Sequence, residues 1–318
     1  MAVIASRTFI AYPAHSSTCE PPVCYLYPVV SDMVTVLEGD CVQHLMRMGQ
    51  KFHLTFLDPP FNQGKHYENA DDDLPDELYW SWIKQVCHLV YERSHDGAAL
   101  YFMHRDKNAG WLMQTLMETG WRFQNMIIWR KLTSAVPCSI RFGKSYQIIV
   151  FATRGKPRCF HRLRIDPPLP AGYSQPRLNG VYVTDVWDDI RELTSGYFAG
   201  DEALRDDRGE RIHKQQSPVA LLLRIILSST CPGDAVLDPF AGTGTTGVVA
   251  QQLGRSCVLI ENSPRNVQVI QRRLAVLREA DNVQRYRRYY RFTSDLDRIW
   301  PVQKEVDDAY TGLFEVSG

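Results

Sequence analysis

The chain has 318 residues, of which 44% are hydrophobic, and its 36 Lys and Arg balance 36 Asp and Glu. This length and apolar content predict one large or two smaller globular domains and exclude a disordered polar chain. A net charge of zero does not exclude a polyanionic partner, because the local distribution of charge decides such binding. The chain has no apolar run of 18 residues, which excludes a membrane-spanning helix.

The N-terminal region and the cysteines indicate a cellular location. The first thirty residues contain four prolines and no long apolar stretch, which predicts an irregular arm over 1–31 and argues against a secretory signal. The eight cysteines are scattered and form no Cys-x-x-Cys pair. Because this spacing disfavours a zinc site or a disulfide framework, we expect no metal and a reducing, cytoplasmic location.

Strand-like and helix-like segments then alternate along the chain. Short apolar stretches predict five strands in the first half, at 34–38, 53–57, 98–102, 125–129 and 147–152. In the second half, Ser217 and Pro218 open a predicted helix, and two further strands and two helices follow over 235–277. Near-continuous apolar strands separated by helices favour an α/β fold, with a mostly parallel sheet covered by helices on both faces.

The segment 154–212 breaks this alternation. It contains five prolines and shows no clean period, which predicts a small irregular insertion rather than a further strand and helix of the sheet. On this interpretation, 32–153 and 213–280 are the two halves of one domain, and 281–318 is a C-terminal extension.

A glycine-rich turn follows the predicted strand 235–238, in the sequence Asp238-Pro-Phe-Ala-Gly-Thr-Gly-Thr-Thr246. Glycines let a ligand approach the backbone closely, and the helix that follows offers unpaired N–H groups at its start. The phosphate loop of a nucleotide triphosphatase would require Lys after the last glycine, but Thr245 stands there.

The spacing of this turn leaves several ligands open. Gly242, Gly244 and Gly247 fit the pattern of a nicotinamide dinucleotide site, and a plain strand–helix turn would have the same composition. The next predicted strand ends at Glu261, where a carboxylate can accept hydrogen bonds from the ribose hydroxyls of an adenosine-containing cofactor.

A second motif, Asp58-Pro59-Pro60-Phe61, follows the predicted strand 53–57. Open parallel sheets bind their ligands at this end of the strands. The two prolines remove two N–H donors and fix the backbone, so the Asp58 carboxylate and the neighbouring carbonyls present only acceptors. Such acceptors beside an aromatic ring suit a planar group that carries an exocyclic amine.

Together the two motifs resemble those of the amino-group DNA methyltransferases, which modify adenine N6 or cytosine N4. The catalytic motif at 58–61 precedes the cofactor motif at 238–244, an order similar to that of the circularly permuted beta class. The resemblance covers 32–280. It implies a Rossmann-like methyltransferase fold, S-adenosylmethionine (SAM) as cofactor, double-stranded DNA as partner and 154–212 as the target-recognition region.

The resemblance also implies a set of cofactor contacts. Glu38-Gly39-Asp40-Cys41 looks like the family segment whose acid binds the cofactor's adenine, and 213–218 is similar to a segment that helps to hold the cofactor. The latter departs from the family pattern at Lys214, Gln215 and Ser217, so only two of its positions are carried over. The expected contacts are Asp40, Cys41, Gln216, Pro218, Asp238, Phe240, Gly242, Gly244, Thr245 and Glu261.

The implied chemistry is methyl transfer to an amine whose lone pair is delocalised into the base. The Asp58 carboxylate and the Pro59 carbonyl would accept its two N–H groups and stabilise the positive charge that develops on nitrogen. The base has to leave the duplex first, and Phe61 would stack on it. The predicted catalytic residues are Asp58, Pro59, Pro60 and Phe61, and no metal is required.

Local charge predicts a surface for DNA. Between 130 and 165 there are nine Lys or Arg and no Asp or Glu, an imbalance that suits contact with phosphates. The nine are Arg130, Lys131, Arg141, Lys144, Arg154, Lys156, Arg158, Arg162 and Arg164. A second basic stretch at 285–291 alternates Arg with Tyr and suits DNA or packing on the sheet equally. We expect the acidic residues of 68–77 on a solvated loop.

Other functions remain as alternatives. Asp at the first catalytic position favours adenine N6, and cytosine N4 methylation on the same scaffold is the alternative. A catalytically silent DNA-binding protein would not need Asp58, Gly242, Gly244 and Glu261 together. A nicotinamide oxidoreductase leaves Asp-Pro-Pro-Phe unexplained, and a zinc deaminase would require a Pro-Cys-x-x-Cys motif. The sequence does not decide the recognition site, whether the chain forms a homodimer, or whether a cognate restriction nuclease accompanies it.

Overall fold

The structure is a computed structural model that describes residues 33–62, 73–131, 139–169, 171–172, 174–175, 177–193, 200–206, 208–212 and 216–301. The predicted N-terminal arm, the first part of the acidic run and the last 17 residues, 302–318, lie outside these ranges. Within the described ranges, every helix is too short or too polar to cross a membrane.

A central sheet of eight strands organises the fold. Its spatial order is β1-β10-β9-β2-β3-β5-β4-β8, and β6 pairs with β7 in a separate sheet. Within the central sheet β5 runs antiparallel to both of its neighbours, and all other neighbouring strands are parallel. The mostly parallel α/β architecture predicted from the sequence is therefore confirmed. The strands are β1 (Val34–Glu38), β2 (Phe52–Leu57), β3 (Ser94–His104), β4 (Arg122–Arg130), β5 (Tyr146–Thr153), β6 (Arg164–Ile165), β7 (Val181–Tyr182), β8 (Val186–Trp187), β9 (Ala235–Asp238) and β10 (Ser256–Glu261).

Helices cover both faces of this sheet. Strand side chains point alternately to opposite faces, so in β3 Tyr101 joins one hydrophobic cluster while Leu100 and Phe102 join the other. The first cluster contains α4 (Val219–Ser229), α5 (Thr245–Gln252), α6 (Pro264–Ala275), α7 (Leu296–Ile299) and a 3₁₀ segment, Val283–Tyr290. The second contains α1 (Cys41–Arg47), α2 (Asp76–Glu92) and α3 (Ala109–Glu118).

Two expectations about irregular segments are corrected by this fold. The segment 154–212 contributes a strand to the central sheet, because Val186 and Trp187 pair in parallel with Ile128 and Trp129. A strand of two residues leaves no periodic pattern in a sequence, so the analysis of hydrophobic spacing missed it. The acidic run also does not lie wholly on a loop, since Asp76 and Glu77 form the first turn of α2.

The basic stretch at 285–291 is used for packing. Arg287 donates a hydrogen bond to the carbonyl of Trp300 at 2.8 Å, and Arg291 pairs with Asp166 at 2.5 Å. Between these arginines, Tyr290 is buried in the core with Trp300. These contacts favour the packing alternative over the DNA alternative, and they make the described part of the C-terminal extension integral to the domain.

A buried ion network joins this extension to α6. Asp281 is completely buried and accepts hydrogen bonds from Arg273 at 2.6 and 3.0 Å and from Arg278 at 2.7 and 2.9 Å. Burial by itself would raise the pKa of Asp281, but the hydrogen bonds from the two guanidinium groups outweigh it and lower that pKa. Arg273 also donates to the Thr243 carbonyl at 3.0 Å, so the network reaches the glycine-rich turn.

We predict that Asp281→Ala lowers the free energy of unfolding by about 3–5 kcal/mol, because Arg273 would remain buried without its counter-charge. Urea unfolding followed by circular dichroism measures this change. Asp297→Ala is the matched control, since Asp297 pairs with Arg287 but its side chain is 91% exposed, and it should leave stability almost unchanged. Equal effects of the two substitutions would contradict the prediction.

Candidate active site

Four neighbouring parallel strands end at one edge of the sheet and bring the predicted site residues together. Asp40 follows β1, Glu261 ends β10, Asp238 ends β9 and Asp58 follows β2, and these strands are consecutive in the spatial order. The register aligns their ends, since Glu38 lies opposite Glu261. The two motifs, far apart in sequence, therefore meet at the carboxyl edge of the sheet, where open α/β sheets bind ligands.

The glycine-rich turn depends on backbone conformations that favour glycine. Gly242 and Gly244 have φ angles of 53° and 77°, and Gly244 stands at the N-cap of α5. A Cβ atom on Gly244 would lie 2.9 Å from Cγ2 of Ile270 in α6. The sequence analysis attributed these glycines to the approach of a ligand, but at Gly244 the crowding neighbour is α6.

The Glu261 carboxylate holds this turn in place. It accepts hydrogen bonds from the backbone N–H of Gly242 at 2.8 Å, from that of Ser263 at 2.9 Å and from the Asn266 amide at 3.2 Å. Burial raises the pKa of Glu261 against the lowering effect of these hydrogen bonds. The Asn262 backbone also donates to this carboxylate, so its hydrogen bonds go to the turn and to the segment that begins α6, and the ribose contact stays a prediction.

Asp238 and Thr245 shape the turn from inside the protein. Asp238 is buried, accepts from the Thr246 hydroxyl at 2.5 Å and from the Phe240 backbone at 3.1 Å, and burial raises its pKa to about 7. The Thr245 hydroxyl accepts a hydrogen bond from Arg273 at 2.9 Å. Both side chains therefore have hydrogen-bond partners within the turn and its support, and their cofactor contacts stay predictions.

Two of the remaining predicted cofactor positions have structural partners as well. Gln216 is buried, where its amide accepts from the Leu204 N–H and donates to the Glu202 carbonyl, both at 3.0 Å. Pro218 stands at the N-cap of α4. The segment between the insertion and α4 is therefore anchored by Gln216, while 213–215 lie outside the described residues.

The other two positions begin α1. The Asp40 carboxylate is exposed and caps the helix by accepting from the Gln43 N–H at 2.9 Å, and Cys41 is buried behind it. The Gly39 N–H donates to the Glu261 carbonyl at 2.9 Å. This bond keeps Asp40 beside the end of β10, so two predicted cofactor residues share one corner of the edge.

A chain of hydrogen bonds anchors the loop of residues 58–61, the predicted catalytic loop, from behind. The His104 Nδ1 accepts the Arg105 N–H at 2.8 Å, so in the neutral ring the proton is on Nε2, 2.9 Å from the Tyr79 hydroxyl oxygen. The Tyr79 hydroxyl in turn donates to the Pro60 carbonyl at 2.6 Å. Burial lowers the pKa of His104 to about 3, with smaller contributions from Lys107 and Arg105, which keeps the ring neutral.

The sequence analysis missed Tyr79 and His104. Neither belongs to a motif, and the one available signal was that His104 ends the strand next to β2. Phe61, predicted to stack on a flipped base, is only 7% exposed and lies 5.0 Å from the His104 ring. The Phe61 ring thus packs against His104. Its predicted stacking on a flipped base stays a prediction.

The surroundings of Asp58 include two residues from distant segments. The Ser217 hydroxyl donates to Oδ2 of Asp58 at 3.3 Å, at a position where the sequence departs from the family pattern. Burial lowers the pKa of Lys131 to about 8, while the charges of Glu192 and Asp58 act in the opposite direction. Lys131 is thus a neighbour of the Asp58 carboxylate, although charge alone had suggested a phosphate contact.

The nine basic residues predicted to bind DNA divide between different parts of the sheet. Arg130 ends β4 and Lys144 precedes β5, so with Lys131 and Arg141 they lie at the carboxyl edge, the same edge of the sheet as Asp58. Lys144 pairs with Asp106 there. Ile140 and Phe142, on either side of Arg141, are 87% and 96% exposed.

The later members of the basic run lie elsewhere. Arg154, Lys156 and Arg158 follow β5, which runs antiparallel to β3, and this places them at the opposite, amino edge. Arg154 donates to the Ser94 carbonyl at 2.6 Å, and Arg158 pairs with Asp234. The guanidinium groups of two more, Arg162 and Arg164, lie over the ring of Tyr182.

The profile of a DNA methylase family that comprises N6 and N4 methyltransferases matches residues 52–272. The chain belongs to this family. It is 30% identical over 266 residues to the DNA adenine methyltransferase YhdJ of Escherichia coli K12, a match that covers 76% of this chain and 83% of the relative. The resemblance inferred from the two motifs is therefore confirmed, and the protein is an N6 or N4 DNA methyltransferase.

Solved structures of the family share this fold. The cytosine-N4-specific PvuII DNA methyltransferase aligns with a TM-score of 0.56 at 16% identity, over 81% of this chain and 91% of that one. The complex of M1.HpyAVI with SAM aligns with a TM-score of 0.52 at 20% identity, over 77% and 100% of the two chains. The predicted Rossmann-like methyltransferase fold is confirmed.

We predict that Tyr79→Phe lowers kcat for DNA methylation by about 5-fold, because loss of one hydrogen bond of about 1 kcal/mol would loosen the Pro60 carbonyl and the loop that contains it. Steady-state transfer of labelled methyl groups into DNA measures kcat and the KM for the methyl donor, which should stay unchanged. Tyr91→Phe is the control, since that ring packs on Trp121 away from the loop. Wild-type kcat in Tyr79→Phe would refute a positioning role.

Proposed function

We propose that this protein uses SAM to methylate N6 of adenine in duplex DNA. The observation that carries the proposal is the position of Asp58, an acceptor at the end of β2 beside the turn that ends β9. The choice of adenine over cytosine is supported by Asp at the first catalytic position, which in the resembling enzymes accompanies adenine more often than Ser. The relative named DNA adenine methyltransferase supports the same choice.

The polar groups at the carboxyl edge are of the types that would bind SAM. Glu261 would accept hydrogen bonds from ribose hydroxyls, Asp40 would bind the adenine amine, and the backbone of 239–244 would lie along the amino-acid part. Phe240 is half-buried, and its ring centroid lies 5.7 Å from that of Trp82. It would form an apolar wall of the cofactor site. When bound, SAM supplies a methyl group that is already activated by its sulfonium charge.

The residues of the catalytic loop would prepare the target amine. The Asp58 carboxylate and the Pro59 carbonyl would each accept one N–H, which favours a nitrogen lone pair directed out of the base plane. Pro60 is fixed through Tyr79, and within the described residues no hydrogen bond occupies the Pro59 carbonyl. Lys131 would place a positive charge beside the Asp58 carboxylate, since the charge of Asp58 acts to raise the pKa of Lys131.

Methylation of cytosine N4 is the alternative. The PvuII enzyme, which shares the fold, is specific for cytosine N4. Because the exocyclic amines of adenine and cytosine both offer two N–H groups, one pair of acceptors can serve either base. The product formed on DNA distinguishes the two.

We predict that Asp58→Ala lowers the rate of methyl transfer by at least about 100-fold, since one preorganised electrostatic contact is worth that much. SAM binding, measured by isothermal titration, should remain near the wild-type level. Asp58→Asn should be nearly as inactive, because its amide also donates and would meet the hydrogens of the amine. Asp96→Asn, at an exposed aspartate that pairs with Arg154, is the control and should be fully active.

Digestion of the product DNA to nucleosides and mass spectrometry identifies the methylated atom. Label on adenine N6 supports the proposal, and label on cytosine N4 overturns the choice of base while leaving the family assignment intact. Transfer at the wild-type rate by Asp58→Ala would overturn the mechanism.

We also propose that DNA lies along the carboxyl edge, on the group Arg130, Arg141 and Lys144. The highly exposed Phe142 beside Arg141 supports this surface, because an aromatic ring among basic side chains suits nucleic acid. The surface is narrower than the run of nine residues predicted from charge.

The double variant Arg130→Ala, Arg141→Ala should weaken binding to all DNA sequences alike. It should also reduce the slope of log K against log salt by about 0.9 for each lost phosphate contact. Fluorescence anisotropy over a salt series measures both quantities. The matched control is Lys156→Ala, Arg162→Ala, which removes the same charge elsewhere on the protein and should keep the wild-type slope. A reduced slope in the control alone would reject the carboxyl-edge surface.

A further inference from the structure

Two cysteines and a histidine converge at the amino edge of the sheet, opposite the catalytic loop. Cys159 and His161 follow β5, and Cys231 lies between α4 and β9. One ligand atom from each, two Sγ and one ring nitrogen, lie within 4.8 Å of one another, and all three residues are half-buried. The sequence analysis expected no such group because the cysteines are scattered, but the fold joins positions that are distant in the chain.

We propose that Cys159, His161 and Cys231 bind a zinc ion. Zn²⁺ binds thiolate sulfur at about 2.3 Å and imidazole nitrogen at about 2.0–2.1 Å in a tetrahedral arrangement, which sets a sulfur–nitrogen separation of about 3.6 Å. The Cys231 Sγ and the His161 Nε2 are 3.6 Å apart. The three ligand atoms therefore have spacings that one small thiophilic cation can bridge after a modest contraction.

The chemistry of the three groups suits this ion. Cysteine sulfur and imidazole nitrogen are ligand types that Zn²⁺ binds in proteins. On binding, both S–H bonds break, the two protons pass to solvent, and two thiolates neutralise the charge of Zn²⁺.

The neighbouring charges are compatible with a neutral metal–dithiolate group. The Arg255 guanidinium is held by the Thr230 and Ile299 carbonyls at 2.8 and 2.7 Å, and its charge interacts favourably with the thiolate forms of Cys231 and Cys159. The nearby Asp234 carboxylate accepts from the Cys231 N–H at 2.7 Å and pairs with Arg158. Both contacts use Oδ2 of Asp234, and we assign the fourth coordination position to water.

The location indicates a stabilising role. The backbone N–H of His161 donates to the Ser228 carbonyl, near the end of α4, at 2.7 Å. The segment after β5 is therefore already in contact with α4. An ion there would cross-link the segment after β5, which belongs to the catalytic half, to the start of β9, which carries the cofactor turn. Binding to the folded chain alone would raise the stability of the whole domain.

The test uses the full chain, kept reduced with a phosphine and stripped of metal, and titrates it with Zn²⁺ and separately with Co²⁺. We expect one Zn²⁺ per chain by equilibrium dialysis and elemental mass spectrometry, and a thiolate-to-cobalt charge-transfer band in the near ultraviolet. Cys159→Ser, His161→Ala and Cys231→Ser should each weaken binding by at least about 100-fold, because even outer partners of metal ligands change affinity by about 10–100-fold.

Two control variants test whether the loss of a cysteine or a histidine outside this group also weakens zinc binding. Cys87→Ala removes a thiol that is buried on α2 in the second hydrophobic cluster, and His88→Ala removes an exposed histidine that pairs with Glu92 on α2. Both should bind Zn²⁺ as the wild type does. Zinc should also raise the unfolding temperature of the wild type and of these controls, but not that of the three ligand variants.

The titration of the wild-type protein decides the proposal even if a variant fails to fold. Absence of stoichiometric Zn²⁺ and Co²⁺ binding would overturn it, as would unchanged binding by both Cys159→Ser and Cys231→Ser. A Cys159–Cys231 disulfide in the untreated protein, together with no zinc binding after reduction, would identify a redox pair and also reject the metal site.

Discussion

The parallel pairing of β1, β10, β9 and β2 is the constraint on which the active site depends. Hydrogen bonds between parallel strands fix the register of the strands. The residues that come directly after each strand therefore lie at the same edge of the sheet. Asp40, Glu261, the glycine-rich turn and Asp58 come together only because these four strands are neighbours. The order of the motifs along the chain does not matter to this arrangement, which explains how a permuted chain can build the site.

Side chains behind the edge make this arrangement rigid. Glu261 and Arg273 hold the glycine-rich turn from two sides, and the latter is fixed by the buried Asp281. Tyr79 performs the equivalent role for the catalytic loop, with His104 as its partner. Polar groups that bind a ligand need such support, because small displacements of preorganised acceptors reduce the stabilisation of developing charge.

The two edges of the sheet have different chemistry. The carboxyl edge carries the acceptors of the site, exposed basic side chains and the exposed ring of Phe142. The amino edge carries Arg154 and Arg158, whose charges are used for hydrogen bonds and ion pairs within the protein. It also carries the Cys159, His161 and Cys231 group. A contiguous basic run in the sequence is therefore divided by the antiparallel course of β5 into segments that lie at opposite edges of the sheet.

The sequence by itself determined the α/β class, the longer strands and both motifs, because hydrophobic period and short turn sequences are local properties of the chain. It also led to the family through Asp58–Phe61 and 238–246. Only the tertiary structure decided the pairing of β8 with β4, the support of the loop by Tyr79 and His104, and the meeting of Cys159 with Cys231. It likewise showed that Thr245 and Gln216, assigned to the cofactor by resemblance, have partners inside the protein. These features are contacts between distant segments, and no local pattern encodes them, since they arise from the order and direction in which the strands pair.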